Sequence, residues 1–112
     1  MRGYQLDPRQ PVGGVIAEDA DQQIVQLNLQ KGNEVPPYSA EAIITITVLS
    51  GAVCLKTEQG QIDLQPMTLA RLEPHETHAL VALEDNTSVL VVKQLCYHAL
   101  LNQKLRFGRC CV

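Results

Sequence analysis

The stretch GNEVPPYSAEAIITITVLSG, Gly32 to Gly51, decides the fold. Its second half, Ala42 to Leu49, runs through Ile43, Ile44, Thr45, Ile46, Thr47 and Val48 before the turn signal Ser50-Gly51. β-Branched side chains pack well on a pleated surface and lose rotamer freedom in a helix, so this run reads as a strand. Upstream, Gln23 to Leu29 alternates Val25, Leu27 and Leu29 against Gln26, Asn28 and Gln30, the pattern of a half-buried strand. Downstream, Ala52 to Thr57 and Gln61 to Leu64 flank Glu58-Gln59-Gly60, which reads as a hairpin with glycine supplying positive φ. Thr68 to Leu72, Ala79 to Leu83 and Ser88 to Lys93 follow. Short strands at nearly even spacing predict an all-β barrel or sandwich. The segment through Gly13-Gly14 is rich in turn residues and reads as a short edge strand or an arm.

A chain of 112 residues suits one domain with one core. With 46% hydrophobic and 19% charged residues it is too apolar for disorder. The net charge of -3 is mild and has no long block of one sign, which argues against binding nucleic acid by itself. Lys104, Arg106 and Arg109 form a short basic tail that reads as a solvated end. No apolar run reaches the roughly 18 residues that cross a bilayer. The first residues lack the apolar core of a secretory signal, so a cytoplasmic location is expected. Cys54 and Cys96 lie in apolar runs as small hydrophobes do, and no cysteine has Cys-x-x-Cys spacing; the vicinal Cys110-Cys111 read as a functionally silent tail, with a redox-active or soft-metal pair as the alternative.

Pro74-His75-Glu76-Thr77-His78 places two imidazoles on a short connection, in a chain whose only other histidine is His98. Histidine titrates near neutrality and ligates metals, so this is where chemistry is sought first. The end of the chain changes character. Leu95, Ala99, Leu100 and Leu101 between polar neighbours predict a helix of two to three turns ending near Gly108. The expected organisation is therefore one domain over 1–112, with a core of roughly 22–94 and a helical tail over 95–112.

The spacing of the central region resembles the cupins. Their first motif has the form G-x5-H-x-H-x3,4-E-x6-G and their second G-x5-P-x-G-x2-H-x3-N. Gly32 and Gly51 match both glycines of the first, with Tyr38, Ala40 and Ile44 at its His, His and Glu positions. In the second, His78 matches the histidine, while Met67, Glu73, His75 and Ala82 stand at the Gly, Pro, Gly and Asn positions. The 15 residues between Gly51 and Met67 suit the short inter-motif hairpin of small bacterial cupins. The resemblance covers roughly Leu27 to Val92. It implies an RmlC-like jelly-roll barrel (a double-stranded β-helix), here with a short C-terminal helix. It also implies a homodimer and a pocket in the barrel mouth.

Cupins commonly hold one divalent metal by two histidines and a glutamate of the first motif and a histidine of the second. Alanine and isoleucine donate no lone pair, and a neutral phenol is a poor ligand, so the standard site is expected to be absent. A noncanonical set, His75, His78 and Glu41, is the alternative, sufficient for zinc, iron or nickel; Glu34 is a further carboxylate near the mouth. On the other reading His75 sits on the rim, while His78 points inward and hydrogen-bonds Tyr38 or a ligand. Tyr38 is either a donor lining the pocket or a rim aromatic packed on Pro36-Pro37. Glu41 reads as a solvated loop carboxylate. Arg71 either points inward as an anion anchor or lies outward over apolar surface.

The favoured function is a metal-free small-molecule binding module. Its mouth is lined by Ile44, Ile46 and Leu80, with His78, Tyr38 and Arg71 available to orient a polar group and His75 nearby. One alternative is an enzyme of the isomerase or epimerase kind, with His78 as general base and Tyr38 as acid. Another is a non-catalytic dimer serving as a scaffold or sensor.

Overall fold

The computed structural model describes residues 1–95 as strands and short connections. The strands are β1 (Val12–Glu18), β2 (Gln22–Leu29), β3 (Glu34–Tyr38), β4 (Ala42–Ser50), β5 (Val53–Thr57), β6 (Gly60–Leu64), β7 (Leu69–Leu72), β8 (His78–Ala82) and β9 (Thr87–Leu95). One sheet has the order β1-β2-β9-β4-β7 and the other β3-β8-β5-β6, with antiparallel neighbours throughout. From β2 onward the chain crosses repeatedly between the sheets, the path of a jelly roll. Among the described residues no helix is long and apolar enough to cross a membrane.

The seven strands expected from alternation are all present, within a residue or two of their expected ends. The Gly13-Gly14 segment takes the edge-strand option, as β1. The preceding turn is pinned to β2, where Gln26 and Asn28 each donate a side-chain amide to the Asp7 carbonyl at 2.9 Å. β3 was not expected, because Pro36 and Pro37 carry no N–H to donate. The fold tolerates them because β3 is an edge strand and its register with β8 slips between Val35 and Tyr38. Leu95, expected to open a helix, instead closes β9 opposite Ala42. The remainder of the expected helix, with His98 and Cys110-Cys111, lies outside the described residues.

Strand alternation and register stack the inner faces in layers. Leu27, Val89 and Val48 share one row, and Ala82, Val53 and Leu64 form its counterpart in the other sheet. The next layer holds Val25, Val91, Ile46 and Ala70 against Val35, Leu80 and Leu55. The third holds Gln23, Lys93, Ile44 and Leu72 against Tyr38, His78 and Thr57, and beyond it Ala42 and Leu95 continue the first sheet's inner row. Ile46, Val53 and Val89 are completely buried. The far end is closed by Thr87, whose buried hydroxyl donates to the Glu84 carbonyl at 2.8 Å and accepts from the Ala52 N–H at 3.3 Å. Gly51 turns there at φ 74°, and a Cβ would overlap Thr87, so a side chain is excluded twice over.

Two turns of the same design flank β7. Thr68 N–H donates to the Gln65 carbonyl at 3.0 Å, and Glu76 N–H to the Glu73 carbonyl at 3.2 Å. Each has proline second and a residue of positive φ third, Met67 at 74° and His75 at 66°. This is the signature of a type II turn, whose third position favours glycine. Both are glycine positions of the motif this segment resembles, so the backbone keeps the glycine conformation although the glycines themselves are gone.

Candidate functional site

The third layer is where polar side chains face inward. Tyr38 and His78 are register partners on β3 and β8, with ring centroids 4.4 Å apart and planes tilted by 54°. His78 is only 1% exposed, and its Nδ1 lies 3.2 Å from the Glu76 carbonyl oxygen. A carbonyl only accepts, so in the neutral ring Nδ1 carries the hydrogen and Nε2 the lone pair. Burial lowers the His78 pKa below its ordinary 6.5; the Glu76 hydrogen bond opposes this and the Lys93 charge adds to it. Burial raises the Tyr38 pKa, so the phenol keeps its proton at neutral pH.

Lys93 completes the layer. Val89, Val91 and Lys93 share one side of β9, so the period that buries the two valines also sends the lysine inward. Its Nζ lies over the Tyr38 ring, 5.1 Å from the centroid, a cation–π contact between the two sheets. The sequence reading missed Lys93. The signal was present in the alternation Val89-x-Val91-x-Lys93, but it ended in a charge, and a charge at a strand end reads as solvated.

The other expected site residues are spread around this layer. Ile44 is 2% exposed and belongs to the apolar core, directly opposite Lys93. His75 lies on the rim, where its Nε2 is 4.0 Å from a Glu41 carboxylate oxygen and both side chains are largely exposed. Its backbone N–H donates to the Ala40 carbonyl at 2.8 Å and so ties the turn before β8 to the end of β3. His75 also borders a hollow of about 270 Å³ with Glu58, Glu73 and Glu76. Arg71 is exposed, on the opposite side of β7 from Ala70 and Leu72. It borders a cleft of about 260 Å³ between the edge strands β6 and β7, which Thr57, Glu76 and Leu72 also line. The structure thus brings His78 and Tyr38 together, adds Lys93, and leaves His75, Glu41 and Arg71 outside the inner layer.

The donor set can be tested against a divalent metal. Of the positions that would supply ligands in the cupin motifs, Ala40 has no donor and Ile44 is core. His78 Nδ1 is engaged by Glu76. Among the described residues no three His, Cys, Asp or Glu side chains gather where an ion would be held. The residues present do not fit the usual cupin metal, and no chemistry is derived through one.

No family model matches the chain, and no curated protein matches it in sequence. Solved structures do. A cupin superfamily protein from Desulfitobacterium hafniense superposes with a TM-score of 0.72 at 18% identity, over 81% of this chain and 83% of the other. An RmlC-like cupin with a double-stranded β-helix fold from Methanocaldococcus jannaschii gives 0.73 at 13% identity, over 85% and 91%. A sugar phosphate isomerase of the cupin superfamily from Silicibacter pomeroyi gives 0.60 at 22% identity, over 67% and 51%. At these identities the likeness is one of fold, and the chain has the RmlC-like cupin fold.

Proposed function

We propose that this cupin-fold protein is a metal-free small-molecule binding module whose ligand is held at the polar end of the barrel by His78 and Tyr38. The observation that carries the reading is the stacked pair itself. It combines a neutral imidazole, whose Nε2 lone pair is left by the Nδ1 bond to Glu76, with a protonated phenol on the same inner layer. An acceptor and a donor carried on adjoining rings, beside an apolar interior, suit a ligand with one polar end and an apolar body. Screening a fragment panel by NMR of the imidazole resonances tests it. Binders should shift the His78 signals, and Tyr38→Phe should weaken them about tenfold, the loss of one hydrogen bond to a buried group. Binders that ignore both His78→Ala and Tyr38→Phe would remove the reading.

The same pair supports a second reading, an isomerase- or epimerase-like acid–base site with Nε2 of His78 as base and the Tyr38 hydroxyl as acid. The tautomer favours it, because the lone pair that a base needs is on the nitrogen left free by Glu76. The isomerase among the structural neighbours adds an analogy of fold only. Conversion of a bound ligand that disappears in His78→Gln while binding persists separates this from simple binding.

A further inference from the structure

Lys93 is half-buried, and its ammonium faces an aromatic ring across the barrel. Among the described residues no carboxylate lies within ion-pair distance of it. The carboxylate on its own row, Glu18, is two strands away and accepts from the Gln23 amide at 2.6 Å. Glu76 approaches the layer through its backbone carbonyl, which His78 already occupies, and its carboxylate acts on the His78 ring by charge without coming within ion-pair distance of Lys93. Drawing a cation out of water without a counter-charge is unfavourable, and a ring face offsets only about 0.5–2 kcal/mol of that. The layer therefore sets an ammonium against the ring of a protonated phenol, with no carboxylate among the described residues within ion-pair distance of that ammonium.

We propose that the inner layer is an oxyanion site, in which the Lys93 ammonium and the Tyr38 hydroxyl hold the carboxylate or phosphate group of a small organic acid. This rests on reading the barrel mouth as a small-molecule site, and it names the chemical class of the ligand. The apolar part of the acid lies toward Leu72 and Thr57, residues of the layer that also line the lateral cleft between β6 and β7.

The test uses the full chain with three probes: benzoate, its neutral isostere benzamide, and inorganic phosphate. Binding is read by calorimetry and by the His78 imidazole resonances, assigned by comparison with His75→Gln and His98→Gln. Benzoate should shift the His78 signals and bind at least tenfold more tightly than benzamide. Lys93→Met should abolish that preference and Tyr38→Phe reduce it. Phosphate competing with benzoate extends the site to phosphate esters; without competition it is a carboxylate site. Equal binding of benzoate and benzamide at His78 overturns the oxyanion inference and leaves the small-molecule site standing. If none of the probes, nor any fragment of a wider panel, perturbs His78, both fail. The matched pair on the unmodified protein decides the matter even if Lys93→Met does not fold.

Discussion

The two ends of the barrel are built by the same strands with the same alternation, yet their inward residues differ in kind. At the closed end Val48, Val53, Val89 and Leu64 interlock and Thr87 seals the edge with satisfied hydrogen bonds. Toward the other end the same rows pass through Lys93, Gln23, Tyr38 and His78, with Ala42 and Leu95 beyond Lys93 on the first sheet. Two-residue periodicity selects which side chains face inward and is silent on their chemistry. The barrel thus separates the residues that hold it together from those free to specialise, within a distance of four strand residues.

That contrast can be broken first at its apolar side. Ile46 is fully buried in the middle layer, and Ile46→Ala should lower unfolding stability by about 2–5 kcal/mol in denaturant titration, through lost burial plus a cavity. A loss below about 1 kcal/mol would mean that the middle layer is not close-packed.

A smaller effect should come from the polar side and depend on pH. His78 has its pKa lowered by burial, while in the unfolded chain it takes up a proton near 6.5. Unfolding therefore binds a proton, and the His78 contribution is complete above about pH 6.5 and declines as pH falls toward the native value. Burial sets this sign and the Lys93 ammonium adds to it, while the Glu76 carbonyl and carboxylate favour protonation without reversing it. His78→Leu should flatten the dependence between neutral and mildly acid pH, with a change in slope of no more than about 1.4 kcal/mol per pH unit for one proton. Parallel curves for the two proteins would show that His78 is as easily protonated folded as unfolded.

The smallest effect concerns the rim. His75 and Met67 hold positive φ at the third position of type II turns, which disfavours a residue with a Cβ by about 1–2 kcal/mol. Glycine relieves that strain but adds unfolded-state entropy, so His75→Gly and Met67→Gly should each raise stability by up to about 1 kcal/mol. A His75→Gly variant that is destabilised would show that the His75–Glu41 contact matters more than the strain.

Much of this was legible before any coordinates. Ala42 to Leu49 is a strand by residue type, and Gly51 is a turn that its neighbour Thr87 leaves no room to replace. Ala40 and Ile44 announce the loss of metal donors by chemistry alone. β3 was hidden, because prolines usually argue against a strand and only the sheet order reveals that it lies at an edge. Lys93 was hidden for a different reason. Its inward direction follows from the parity of β9, but its partner Tyr38 is on the other sheet.

Local sequence alone was enough for seven of the nine described strands, most of the turns that join them, and the substituted ligand positions. All of these depend on short-range sterics and on a period of two, which neighbouring residues carry between them. Only the tertiary structure decided that Tyr38, His78 and Lys93 share one layer. That meeting depends on how two sheets register across the core, and no local pattern encodes the distance between strands that pair with different neighbours. His78, first visible as one of two histidines on a turn, is a buried ring against Tyr38, whose other neighbour is the Lys93 ammonium, because the two sheets register there.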